Sequence, residues 1–165
     1  MSRACALVVV LALVGCAGSL RDGVFRKDLI AYRVRAPEAP VFQPVSFADN
    51  DLAWAAMGSS HLLAVNAVCR GHDDAPLEVL TRHLLFGLTE RERLAQALEV
   101  VDGREALRSV WRAKLDGVPV ELELVVLKKN GCVHDFTYVS PPGGRAVHEA
   151  AFAALVAGFA QQERD

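Results

Sequence analysis

The chain has 165 residues, enough for one domain and too few for two of ordinary size. Hydrophobic residues make up 52% and charged residues 23%, a globular balance that excludes a disordered or collagen-like chain. The formal charge of −2 lacks the basic excess of a nucleic-acid binder, so no nucleic-acid partner is expected.

Arg3 is the only charged residue before Arg21, and residues 4–14 are apolar throughout. A positive start followed by a short apolar run is the layout of a secretory signal. The run is too short to cross a bilayer, which takes about 20 apolar residues. It ends in Leu13-Val14-Gly15-Cys16. These four residues resemble the bacterial lipobox, in which small residues let the extended chain enter a signal peptidase. The resemblance implies cleavage between Gly15 and Cys16, removal of residues 1–15, and transfer of a diacylglyceryl group to the Cys16 sulfur. The freed amine would take a further acyl chain of the palmitate kind. Each buried methylene adds about 0.8 kcal/mol, so several chains moor a protein to a membrane almost permanently. Ala17 follows in place of the Asp that favours inner-membrane retention, which leans toward the outer membrane, with the protein facing the periplasm. Loss of Arg3 with the signal leaves 17 cations against 20 acids, a charge of −3. Residues 16–24 then read as a lipidated N-terminus and short tether, and 25–165 as a single domain.

Downstream, residues 29–35, 45–48 and 62–69 read as strands, with Pro37 and Pro40 marking a loop between the first two. Asp74 is placed to cap a helix entered through Pro76. Leu77, Leu80, Leu84 and Leu85 lie on one side of it, and Gly87 stops it. Glu90-Arg91-Glu92-Arg93 reads as a solvated turn, with Thr89 and Glu92 able to form a capping box. Then come three hairpin signals: Asp102-Gly103, Asp116-Gly117 and Asn130-Gly131. Both central residues of a type I′ turn need φ > 0, which Asn, Asp and Gly tolerate. These turns predict a four-strand meander over 94–101, 104–115, 118–129 and 132–140. The last predicted element is a helix over 146–161, with Phe152, Leu155, Val156 and Phe159 in one stripe.

Two-residue turns fix the register. They predict Leu98 opposite Leu107, Trp111 opposite Leu122, Ala113 opposite Val120 and Arg112 opposite Glu121. One face then carries Leu94, Leu98, Leu107, Trp111, Val120, Leu122, Leu124, Val126 and Val139, and is expected to be a core wall. The other carries Arg108, Arg112, Glu121 and Glu123 beside Val110, Val125, Leu127, Phe136 and Tyr138. Being half charged and half apolar, it is expected to be only partly covered. Val125, Leu127, Phe136 and Tyr138 on it read as residues covered by a helix, with a groove for a partner or an acyl chain as the alternative, which makes them the candidate face for a ligand or partner.

Of the four Cys, Cys69 and Cys132 remain once the signal and the lipid site are set aside. In an exported protein such a pair reads as a disulfide, with buried thiols and a redox or metal role as alternatives.

Strands, helix, meander and helix in that order argue for an α+β fold, a largely antiparallel sheet flanked by helices. The order resembles the PsbP-like fold and implies its α/β/α sandwich. The segments VNAVC, DAPL, LDGVPVELELVVLKKNGCVHDFTYV and FAALVAGF also resemble those of small bacterial lipoproteins. This likeness implies a fold and no active site.

Candidate chemistry is sparse. His72-Asp73-Asp74 holds metal-ligating types, but adjacent residues rarely converge on one ion, and a loop with a helix cap is the plainer reading. His134-Asp135 lies on a predicted strand, where neighbours face opposite ways and cannot act as a dyad. His61 follows Ser59 and Ser60, yet a Ser–His pair needs a third group and an oxyanion hole. His148-Glu149 reads as the exposed side of the last helix. No cofactor motif appears. The expectation is a membrane-anchored, non-catalytic module that binds an envelope protein. A lipid or small-ligand carrier is the alternative, and a metal-dependent or Ser/His hydrolase around His61 and His72 a distant third.

Overall fold

In a computed structural model, residues 18–69 and 75–162 are described. The signal, Cys16 and the His72-Asp73-Asp74 cluster lie outside them. The strands are β1 (Ser19–Arg21), β2 (Val24–Lys27), β3 (Ile30–Arg33), β4 (Phe42–Val45), β5 (Leu52–Ala56) and β6 (Leu62–Val68). After α1 (Leu77–His83) come β7 (Thr89–Val101), β8 (Arg104–Leu115), β9 (Val118–Lys129) and β10 (Cys132–Ser140). A 3-10 turn (Arg145–Val147), α2 (Glu149–Ala157) and β11 (Ala160–Gln161) end the chain.

The three marked dipeptides all take positive φ, at Asp102 and Gly103, Asp116 and Gly117, and Asn130 and Gly131. Each joins two meander strands, and the predicted pairs hold: Leu98 with Leu107, Trp111 with Leu122, Ala113 with Val120, Arg112 with Glu121. The meander continues through β10 onto β6, giving a seven-stranded sheet of order β4-β5-β6-β10-β9-β8-β7. A second sheet, β1-β2-β3-β11, has four strands. Its first hairpin turns on Asp22 and Gly23, both with positive φ, so the expected tether already contains β1 and the start of β2. The chain is therefore ordered well before residue 25.

Other boundaries also move. The predicted strand at 45–48 lies earlier, at Phe42–Val45, and β5 is an additional strand built around buried Trp54. Glu90-Arg91-Glu92-Arg93 is the start of β7 and not a turn, because its acids find cations across the strand pair. Lys114 Nζ donates to Glu90 Oε1 at 2.7 Å, and Arg112 Nη1 to Glu92 Oε2 at 3.1 Å. Pro76 occupies the N-cap position of α1 in extended conformation, as a residue already fixed near φ −60° can. The predicted helix at 146–161 is divided. A 3-10 turn precedes α2, which stops at Gly158, and the chain then adds β11 to the small sheet.

The large sheet sits in the middle. On one face lie α2 and the small sheet, closing the main core around Phe25, Tyr32, Trp54, Phe136, Phe152 and Phe159. On the other, α1 covers part of the sheet through Leu80, Leu84 and Leu85. Gly158 allows the tight seam between α2 and the chain leaving β3. A Cβ there would lie 2.6 Å from the Arg35 Cβ and 2.8 Å from its backbone nitrogen. Cys69 and Cys132 are joined by a disulfide across a separation of 63 residues, tying the end of β6 to the start of β10.

Candidate functional site

The four apolar residues of the candidate ligand or partner face are covered by a helix, the plainer of their two readings, and form no open groove. Val125, Leu127, Phe136 and Tyr138 belong to the main core beneath α2 and are fully or almost fully buried. The charged neighbours that argued for an incomplete cover are neutralised within the chain. Arg108 Nε donates to Glu99 at 2.9 Å and its Nη1 to Glu123, while its guanidinium lies 5.7 Å from the Phe152 ring centre. Arg145 Nη1 donates to Glu123 at 3.0 Å and to Glu149 at 2.5 Å. The two arginines bracket one acid, so α2 can dock on a face that carries charges. Conversely, the face expected to be a core wall is incomplete at its β7 end, where Leu94 and Leu98 are exposed.

The histidines separate into structural settings. His61 lies beside Tyr138 and His148. The Tyr138 hydroxyl donates to the Arg145 carbonyl at 3.1 Å and accepts from His61 Nδ1 at 2.9 Å. Burial, and then the neighbouring His148, hold His61 below the usual imidazole range. The partner of His61 Nδ1 is thus the Tyr138 hydroxyl and not Ser59 or Ser60. His148 is the N-cap residue of α2, half-buried against His61 and Phe42. Among the described residues no group of three or more His, Cys, Asp or Glu is placed to hold a metal ion.

His134 and Asp135 point to opposite faces, as strand alternation requires. His134 packs between Tyr32 and Phe159 and bonds Gln161 at 3.2 Å. Burial lowers its pKa to about 4, against the upward pull of the Gln161 hydrogen bond and of Asp102. Asp135 faces a cavity of about 130 Å³ under α1, lined by Asn66, Leu80, Leu84, Val126 and Val133. Burial raises its pKa to about 7, Asp51 adds to the rise, and the Asn66 hydrogen bond opposes it.

What remains open is β7. It is an edge strand of 13 residues, almost wholly exposed, and among the described residues it has no neighbour beyond it in the sheet. Leu94 is 40% exposed, Leu98 59% and Val100 77%. Phe86, in the loop leading into β7, is 93% exposed. A groove of about 420 Å³ runs beside the strand, between the start of α1 and the β7–β8 hairpin. It is lined by Leu77, Leu98, Arg104 and Lys128 among others. An edge strand presents unpaired backbone donors and acceptors, and apolar side chains beside them make a template for another chain. The two-residue turn alone would set Glu90 and Glu92 opposite Leu115 and Ala113, so the sequence did not mark this extension. Register shifts between Arg93 and Ala95 and between Thr89 and Glu92 bring Glu92 level with Arg112 and Thr89 level with Lys114.

No family model matches the chain, and no curated protein matches its sequence. Solved structures do resemble it. A Pseudomonas aeruginosa protein of unknown function, described as a putative regulator, superposes with a TM-score of 0.55 at 13% identity, covering 89% of this chain and 97% of that one. Cyanobacterial PsbP from Synechocystis sp. PCC 6803 superposes with a TM-score of 0.54 at 11% identity, covering 94% and 99%. LpqN of Mycobacterium tuberculosis, described as involved in cell envelope biogenesis, gives 0.59 at 8% identity over 82% and 87%. The chain thus has a PsbP-like fold, rich in antiparallel sheet, with two α-helices among the described residues.

Proposed function

We propose that the chain is a lipid-anchored, non-catalytic binding module of the bacterial envelope, facing the periplasm from the outer membrane. It serves there as an accessory or assembly component. The observation that carries this reading is the open β7 edge: a long exposed strand with Leu94, Leu98 and Val100 uncovered. The polar clusters elsewhere are bonded within the chain. The sequence supplies the anchor in Leu13-Val14-Gly15-Cys16, and β1 begins at Ser19, so the body would lie close to the membrane surface. The role described for LpqN, which shares this fold, agrees with an envelope setting. The carrier alternative loses the face on which it was built, since Val125, Leu127, Phe136 and Tyr138 fill the core.

The test has two parts. Cys16→Ser should move the full chain from the membrane pellet to the soluble periplasmic fraction and remove the acyl mass. A variant that still pellets, with the mass otherwise unchanged, refutes the anchor. A photo-crosslinking residue in place of Leu98, activated in intact cells, should trap a defined protein at β7. Absence of any adduct there, with the same probe at other exposed positions as a reference, refutes the binding edge.

A further inference from the structure

We propose that the β7 edge is a self-recognition surface, on which two copies of this chain join antiparallel about Gln96 into one continuous sheet. The inference rests on the reading of β7 as a binding edge and names its occupant.

The exposed strand contains Arg93-Leu94-Ala95-Gln96-Ala97-Leu98-Glu99. Its inner five residues read the same in both directions. When two such strands run antiparallel about a two-fold axis, residue 96 meets 96, 95 meets 97, and 94 meets 98. Leu94 then meets Leu98 twice, Ala95 meets Ala97 twice, and Gln96 meets its own copy. Arg93 and Glu99 flank the repeat with opposite charges, so no like charges oppose one another at its ends.

The backbone polarity agrees. Val101 and Arg104 close a two-residue hairpin and therefore exchange their hydrogen bonds. Alternate residues inward from that pair, Glu99, Ala97 and Ala95, face β8 in the same way. Gln96 and Leu98 thus turn their N–H and C=O groups to the open side. A two-fold axis through Gln96 places a hydrogen-bonded pair at its centre, with Leu98 in the same phase, while the register shift between Arg93 and Ala95 puts Leu94 in a bulge that lies opposite Leu98 of the other copy. The axis stands normal to the sheet, so the faces carrying α1 stay on one side, and the exposed Leu98 side chains gain cover there.

The bulges of β7 limit the pairing to the stretch around Gln96. Register shifts separate Thr89 from Glu92 and Arg93 from Ala95. Bulges and alternating charges blunt an edge against further pairing. Glu99 is held by Arg108, while Arg93 turns over the Trp111 ring at 5.8 Å. The joint is therefore short and apolar. Two copies moored on one membrane would meet at raised effective concentration, which lets a short joint form.

The experiment is thiol crosslinking of the full-length, membrane-bound protein carrying Gln96→Cys, with a short bis-maleimide. The unsubstituted chain serves as the background control and Met57→Cys, exposed beyond β5 in another part of the sheet, as the positional control. Residues directly opposite in a hydrogen-bonded pair have Cα atoms about 5.5 Å apart, within reach of the reagent. The expected result is a covalent homodimer from Gln96→Cys at least tenfold above both controls. Adding Leu98→Lys should lower that yield at least tenfold while leaving the circular dichroism spectrum unchanged, because Leu98 is exposed in the single chain. A homodimer yield no higher than the controls, or one indifferent to Leu98→Lys, overturns the proposal. Capture of a different protein at residue 96 overturns self-pairing and keeps the binding edge. No adduct of any kind from residue 96, together with none from the Leu98 photo-crosslinker, overturns both.

Discussion

Asp135 should oppose His134, its neighbour in the chain, in setting how stability depends on pH. In the fold the Asp135 carboxyl titrates at about 7, because burial under α1 penalises its charged form, and its ordinary value is 3.8. Between those values the folded chain binds the extra proton, so stability falls as pH rises. His134 runs the other way. It titrates at about 4 in the fold and 6.5 outside it, so the unfolded chain binds the extra proton and stability rises with pH across that window. At about 1.4 kcal/mol per pH unit, the two slopes offset one another between about pH 4 and 6.5. Asp135→Asn keeps the shape and a hydrogen-bonding partner for Asn66 while removing the charge. The variant should match the parent near pH 4 and exceed it by up to about 4 kcal/mol above pH 7, with an exposed positive slope from His134 in between. Urea unfolding followed by tryptophan fluorescence from pH 4 to 8.5 measures this, since Trp54 is buried in the core. A variant less stable than the parent at pH 8, or one displaced equally at every pH, would refute the reasoning. It would mean that the fold needs an ionised carboxylate at Asp135.

Further outcomes follow from the core and its ties. Phe152→Ala removes a fully buried ring from beneath Arg108 and beside Tyr138, and should cost about 3–5 kcal/mol in urea unfolding. Cys69→Ser with Cys132→Ser opens a loop spanning 63 residues and should cost about 2–4 kcal/mol, seen as a lower thermal midpoint that added reductant no longer shifts. Gly158→Ala brings a methyl group against the Arg35 backbone and should cost about 1–3 kcal/mol, with the loss of β11 amide protection marking where the strain falls. Arg145→Ala should cost less than Arg108→Ala in thermal unfolding: either loss leaves Glu123 one arginine, but Arg145's second partner, Glu149, is more exposed than Arg108's, Glu99, and Arg108 also covers the Phe152 ring.

The amino-acid sequence by itself determined what is local. The Asp-Gly and Asn-Gly turns set the meander, because positive φ at two successive residues is a property of the dipeptide, and a two-residue turn then dictates the pairs along both strands as far as the first bulge, which β7 has between Arg93 and Ala95. The stripe of Phe152, Leu155 and Val156 set the buried side of α2 in the same way. Asp22-Gly23 carried the same turn signal and lay within the stretch read as a tether. What only the tertiary structure decided is which surfaces are covered. Strand alternation sorts residues into two faces and does not say which face is inside when both are partly apolar. Val125, Leu127, Phe136 and Tyr138 are buried because Arg108 and Arg145 share Glu123, an arrangement assembled from β7, β8, β9 and the turn before α2. The small sheet needs residues 19–33 to meet residues 160–161. The open β7 edge exists because, among the described residues, no other strand pairs with its outer side. Each of these depends on contacts between segments distant in the chain, and such contacts leave no periodic trace in any one of them.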